Sequence, residues 1–302
     1  MKRTSIYRLL GVMVLAGALL ALPGAAQGEV YFEAYIGGVQ GANAPLTPSF
    51  SGIFSTPGGP YSIAGSWDVP GRLHPAVLGG LKLGTWFVPE GFLGYNYPAW
   101  MRYFGFYFDF CFHRLDYRRQ VGSYVISGTK IPPPPGPFSF GGDMTLWSEG
   151  IAPTLAFMFA ARYGFLPDPE VPFGRLQPYI AVGPGIMFAS QQPAMSYDNV
   201  RWSQPAVPPG VLPFFRQKFE SQSDAVICLA VDAGIRWMAL KNVSIDLSFK
   251  YRFAQPSFNY VHAVPYPITI APISNFSTST IPVSLHPTFH LFSIQLGAAY
   301  HF

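Results

Sequence analysis

Charge is what this chain has least of. Only 11% of its 302 residues are Asp, Glu, Lys or Arg, while 49% are hydrophobic. An ordinary soluble surface carries more charge than that, and a charged disordered chain is far less apolar. Basic excess is lacking too. With Lys2, Arg3 and Arg8 set aside, the 19 basic side chains become 16 against 15 acidic ones, which gives no reason to expect nucleic-acid binding. The two cysteines, Cys111 and Cys228, cannot make a disulfide-dense scaffold. After the first 28 residues there is no clean apolar run of about eighteen, so helical membrane spans are disfavoured. A Gly-x-Ser-x-Gly elbow and a phosphate-binding glycine loop are both missing, and the six histidines are dispersed. His290 and Ser293 have opposite strand parity and make a poor catalytic pair. His113, Asp109 and Cys111 share one face of one strand, at a spacing that assures no relay. No catalytic, cofactor-binding or metal-binding residue is assigned, no cofactor is expected, and the chain is read as non-enzymatic.

What is present is a leader and a repeated period of two. Residues 1–28 have a basic start, an apolar run from Leu9 to Leu22 and small residues at Ala26 and Gly28, the pattern of a cleaved secretory signal peptide. The remaining 29–302 form one domain. Alternation of apolar and polar residues marks eight strands, because successive side chains of a strand point to opposite faces. They are Val30–Gly38, Ala76–Phe87, 104–112, a segment within Ile151–Tyr163, Leu176–Ala189, Asp224–Trp237, Val243–Phe253 and Phe289–Phe302. The third carries Phe104, Phe106, Phe108, Phe110 and Phe112 at strict spacing two, with Asp109, Cys111 and His113 opposite. In water that aromatic row needs a covering layer; in a bilayer lipid suffices, so these five are expected to face lipid. The phase of 151–163 is blurred by Phe157, Met158 and Phe159, and Pro184 is expected to cause a bulge or an early end to regular pairing in the fifth strand because it has no N–H to donate. Four long stretches rich in Gly, Pro and Ser, roughly 40–73, 115–142, 191–222 and 254–287, read as loops.

These features imply an all-β fold, an eight-stranded antiparallel transmembrane β-barrel with four long extracellular loops. A soluble sandwich is the alternative and does not explain why every second connection is long. The inward face collects Glu33, Lys82, Asp109, His113, Asp224, Asp232, Arg236, Asp246, Lys250 and Arg252, with His301 near one end. Strand neighbours bring opposite charges together, so they are expected to form a lumenal polar network of ion pairs. Arg236 is expected to approach Ser244 or Asp246, and Lys250 and Arg252 to meet Asp224 and Cys228. The cysteines are expected to stay unpaired.

The leader, the opening strand Tyr31–Gly38, Leu176-Gln-Pro-Tyr-Ile-Ala-Val-Gly-Pro-Gly185, Gly234-Ile-Arg-Trp237 with the strand that follows, and the terminal Tyr300-His-Phe302 together resemble the small outer-membrane β-barrel proteins of Gram-negative bacteria, of the OmpA-like and opacity-protein type within the porin family. That resemblance implies an outer-membrane, cell-surface location. It implies Tyr300 and Phe302 as a signal read by the barrel assembly machinery. It implies outer-membrane lipid and lipopolysaccharide as neighbours of a monomer, with room for an unknown extracellular ligand and no nucleic acid. It carries no shared activity. A structural or surface-interaction role is the reading favoured; a narrow ion or small-solute channel and a lipid-processing enzyme are the alternatives.

Overall fold

The computed structural model describes residues 29–56, 59–88, 97–130, 138–197, 200–203, 211–212, 215–270 and 273–302. The signal peptide assigned to 1–28 lies outside the described residues. The described residues form seventeen strands: β1 (Glu29–Gly41), β2 (Ser49–Thr56), β3 (Gly59–Asp68), β4 (Ala76–Trp86), β5 (Phe104–His113), β6 (Tyr117–Lys130), β7 (Phe138–Ile151), β8 (Thr154–Arg162), β9 (Leu176–Tyr197), β10 (Val200–Ser203), β11 (Val211–Leu212), β12 (Phe215–Lys218), β13 (Gln222–Leu240), β14 (Val243–Ala254), β15 (Phe258–Ile270), β16 (Ile273–Leu285) and β17 (Phe289–His301). One short 3₁₀ turn, Ala99–Tyr103, precedes β5.

The expected fold, an eight-stranded barrel with four long loops, is therefore corrected. Fifteen strands belong to one sheet, and β15 and β16 form a second. The stretches that read as loops contain β2, β3, β6, the start of β7, β10, β11, β12, β15 and β16. They were illegible because they mix turn-forming residues with apolar ones on both faces. In β6, for example, Tyr124 and Ile126 are buried while Val121 and Val125 are exposed. Tertiary pairing overrides the weak local preference there. The prolines Pro265, Pro267 and Pro282 lie in the separate two-stranded hairpin, where a missing ladder donor is tolerated.

Within the large sheet, antiparallel ladders run β1–β4–β5–β8–β9–β13–β14–β17 and return from β17 to β1. We call this succession the circuit. The 22-residue β9 runs past it: its first part pairs with β8 and its last part with β7 on the same edge, while on the other edge β12 takes over from β13. The strands beyond the circuit, with the β15–β16 hairpin, form what we call the extension. At Pro184 regular pairing is interrupted on one edge of β9 and does not end. Its pairing with β13 runs unbroken from Leu176 to Gln191, and only the β8 side lapses, opposite Phe157 and Met158. In β8, Thr154, Ala156, Met158, Ala160 and Arg162 are buried, which places Phe157 and Phe159 on the opposite face.

Candidate functional site

The circuit turns its polar residues inward. Glu33, Lys82, Asp109, Asp232, Arg236, Asp246, Lys250 and Arg252 are all 2% exposed or less, while the alternate positions carry Ile36, Val77, Phe108, Ile180, Ile227, Leu247 and Ile294 exposed. Space for the large inward side chains comes from small neighbours. A Cβ at Gly84 would stand 2.5 Å from the Tyr107 side chain and 2.8 Å from the Tyr31 ring.

The interior is layered. At one end Arg162 forms a two-pronged pair with Glu29, one arm at 2.7 Å, donates to Gln177 at 2.9 Å and stacks over Trp86 and Phe173. His301 faces Glu29 at 3.4 Å and bonds Ser244 at 2.9 Å. In the next layer Lys82 Nζ lies 3.0 Å from Glu33, 3.3 Å from Asp232 and 3.7 Å from Asp246, and donates to the Tyr179 hydroxyl. Arg236 reaches Glu33 at 2.6 Å and Asp246 at 3.4 Å, its guanidinium over the Tyr31 ring. Tyr107 donates to Asp232 and Tyr179 to Asp246. Above them Lys250 binds Asp109 at 2.8 Å, Asp232 at 3.6 Å and Gln295 at 3.2 Å, and Tyr35 donates to Asp109 at 2.6 Å.

A fourth layer is less well satisfied. Arg252 donates to the Cys111 sulfur, but its Nε and Nη2 have no partner among the described residues. His113 bonds the Arg114 carbonyl through Nδ1, and its buried Nε2 has none either. Both cysteines are buried and free. Beyond this layer the interior becomes apolar, with Val39, Leu78, Leu115, Phe289 and Leu291 buried.

Of the residues singled out from the sequence, the structure joins Glu33, Lys82, Asp232, Arg236, Asp246, Asp109 and Lys250 into one connected ion-pair network. Arg252 and His113 are buried beside it, without a carboxylate partner among the described residues. Asp224 is elsewhere: half-buried, it accepts the Ser257 N–H at 2.7 Å. The expected meeting of Lys250 and Arg252 with Asp224 and Cys228 is thus corrected in register. Lys250 stands opposite Asp232, and Arg252 opposite Ala230. Arg236 does pair with Asp246, directly across the ladder. Phe104, Phe108 and Phe112 are exposed, whereas Phe106 and Phe110 are half-buried, Phe106 against Phe87 and Phe157. Tyr300 and the 71%-exposed Phe302 meet edge to face, and the Phe302 N–H donates to the Val30 carbonyl.

Sequence reading missed a second buried centre, in the extension. His262 on β15 sits among Phe50, Trp67, Tyr197 and Phe219. Its Nδ1 donates to Gln217 Oε1 and its Nε2 accepts from Tyr197, both at 2.9 Å. Gln217 also accepts from the Ala263 N–H and donates to the Val261 carbonyl, so one β12 side chain clasps the hairpin's first strand. Burial depresses the His262 pKa to about 3. Only a recognition that 254–287 folds as a hairpin could have revealed this centre. A cavity of about 10 Å³, room for roughly one water molecule, lies between Tyr117, Gln191, Phe258 and Tyr260. Among the described residues, no three His, Cys, Asp or Glu side chains assemble as a metal site.

The chain matches no protein-family profile and no curated protein sequence. Among solved structures it is similar to Neisserial surface protein A, at 9% identity and a TM-score of 0.27 over 90% of this chain and 97% of that one. It is likewise similar to the outer membrane protein OprG from Pseudomonas aeruginosa, at 10% identity and 0.38 over 91% and 96%. A third is Ail, the attachment invasion locus protein of Yersinia pestis, at 12% identity and 0.30 over 91% and 99%. The chain is thus a β-rich fold resembling several outer-membrane β-barrel proteins, at low identity and with partial superposition.

Proposed function

We propose that this is a non-enzymatic outer-membrane protein with a structural or surface-interaction role. One observation carries the reading: the circuit is inverted relative to a soluble protein, with buried ion pairs inside and a continuous apolar face outside. Exposing Ile180, Val182, Ile227, Ile245, Leu247, Phe249, Ile294 and Leu296 to water together would be unfavourable by about 25 cal/mol for each Å² of apolar area, and lipid removes that cost. On β14 the outward apolar positions run from Ile245 to Phe253, about 26 Å along the strand and on the order of 20 Å of height once it tilts, most of an outer-membrane apolar band. Trp100, Tyr103, Tyr163 and Phe165 supply an aromatic cluster at one end, as expected of a membrane interface.

The proposed lumenal role of the network is a plug. Each of the seven charges joined by ion pairs meets a partner of opposite sign, which is how charges persist away from water, while Arg252 has the Cys111 sulfur. The five phenylalanines of β5 are assigned to the lipid face, with Phe106 and Phe110 sharing it with neighbouring rings. Lipid and lipopolysaccharide then surround the circuit, Tyr300 and Phe302 serve the assembly machinery, and the extension is left to meet an extracellular ligand. The test uses protein reconstituted into vesicles. Spin labels at position 108 should report lipid exposure, and planar-bilayer recordings should lack large steady openings. Aqueous exposure at 108 overturns the membrane placement; steady conductance overturns the plug.

A further inference from the structure

We propose that the outer surface of the extension holds a binding site for the phosphate groups of outer-leaflet glycolipid, built from Arg118, Arg119, Trp147, Arg216 and Lys218. The site begins with a β-bulge. Tyr117 pairs with Ser148 and Gln120 with Leu146, so Arg118 and Arg119 together stand opposite the single Trp147. In a regular strand consecutive residues point to opposite faces; here both arginines are exposed, with Tyr117 and Gln120 buried on either side. The bulge is tied down. The Arg118 N–H donates to the Arg72 carbonyl at 3.0 Å, and the Gln120 side chain accepts the Arg72 N–H at 2.9 Å.

Two strands further, β12 brings a matching pair. Trp147 stands opposite Ala194 of β9, Ala194 opposite Lys218, and Ser196 opposite Arg216. The guanidinium carbons of Arg119 and Arg216 lie 5.1 and 4.9 Å from the centroid of the same Trp147 ring. Like charges held to one indole repel each other unless an anion lies between or beside them, and stacking fixes both planar forks for phosphate recognition. Among the described residues, the surface arginines in ion pairs are Arg114 with Asp116 and Arg175 with Asp168 and Glu170. Glu149 and Glu220 are exposed near the patch, and neither is within ion-pair distance of its cations.

Position selects the partner. The outward apolar side chains of β9 end at Phe188, and Ala194 follows six residues later, about 20 Å along the same strand. That puts the cations above the apolar band, at the level of a phosphorylated sugar headgroup. Clustered arginine and lysine beside a membrane bind anionic lipid.

This inference rests on the membrane placement proposed above, so binding is measured in detergent, where it does not depend on insertion, while the label at 108 reports on placement separately. Full-length purified protein is titrated with lipopolysaccharide, with the same lipopolysaccharide after enzymatic dephosphorylation, and with heparin. Dephosphorylation should weaken binding tenfold or more, and so should the R119A/R216A double variant. The R119K/R216K variant, which keeps the charge and loses the planar fork, should lose less. Equal affinity for intact and dephosphorylated lipopolysaccharide overturns the proposal, as does an alanine pair that folds and binds like the wild type. Binding to heparin alone would assign the patch to a soluble sulfated glycan and equally overturn it. If the alanine pair does not fold, the comparison of the three probes on wild-type protein decides the matter.

Discussion

The circuit and the extension have opposite interiors, although all of the extension but the β15–β16 hairpin belongs to the same sheet as the circuit. Inside the circuit lie Glu33, Lys82, Asp232, Arg236 and Asp246; inside the extension lie Phe50, Ile63, Trp67, Ile126, Met144 and Val283. Outside, the circuit shows Phe108, Leu247 and Ile294, and much of the extension shows Ser51, Ser62, Ser66, Arg118 and Ser123. The boundary is crossed along a single strand. On β9, Ile180, Val182 and Ile186 face out and Tyr179 and Ala181 in; further on, Met195 and Tyr197 are buried in the apolar core. A strand does not fix which of its faces is apolar. The surroundings of each part decide, and a chain crossing from one environment to another exchanges its faces midway.

The sharpest way to break this contrast is to disturb the charged interior. Replacing Lys82 with Met leaves Glu33, Asp232 and Asp246 without their shared cation. The loss should be about 3–5 kcal/mol, read from chemical unfolding in detergent. A loss under about 1 kcal/mol would mean that the network contributes little to the circuit.

In the extension the comparable lesion is a cavity. Ile126→Ala, at a position 1% exposed in its core, should cost about 2–4 kcal/mol by the same measurement. The loss should leave the circuit strands protected from hydrogen exchange. Loss of protection in both regions at once would show that they unfold as one unit.

The outer faces allow a matched pair of substitutions. Phe108 is 46% exposed and Val125 is 53% exposed, so water-accessible area alone would rank them alike. Phe108→Arg should nonetheless cost about 2–4 kcal/mol at mid-bilayer, and Val125→Arg within about 0.5 kcal/mol. Equal effects would remove the distinction between the two surfaces.

The remaining contrast is a pH dependence confined to the extension. His262 titrates near 3 when folded and near 6.5 when unfolded. The folded value is depressed, so the unfolded chain binds the extra proton. The stabilisation is complete above about pH 6.5 and declines as pH falls toward 3. Exchange protection of β15 should drop between pH 7 and pH 4, and His262→Phe should flatten that drop. A wild-type response as flat as the variant's would rule His262 out as its source.

How much was legible follows from the same contrast. The eight strands of the circuit could be read because one environment per face gives a clean period of two. Phe104 to Phe112 against Asp109 and His113 is the clearest instance, and Val243 to Phe253 against Asp246, Lys250 and Arg252 the next. Which side chains share the inward face was legible for the same reason. The nine further strands were not. Their glycines, prolines and serines carry turn signals, and residues such as Val121 and Val125 place apolar side chains outside as well as within. The Arg118–Arg119 pair was invisible for a related reason, since only the register of β6 against β7 creates the bulge that turns both outward.

By itself, then, the sequence determined the alternation of faces, the sign of the charges on one of them and the low charge that makes a membrane surface a natural setting. Tertiary structure decided everything that depends on register between distant strands. Lys250 meets Asp232 and Asp109, and not Asp224, because β14 pairs with β13 at Asp232 and the inward turn of the circuit brings β5 within 2.8 Å. His262 meets Tyr197 and Gln217 only because a hairpin folds back over the end of β9. Period-two alternation is a local property of one strand. The offset between two strands is fixed by packing and hydrogen bonds over the whole sheet, and no single stretch of residues contains it.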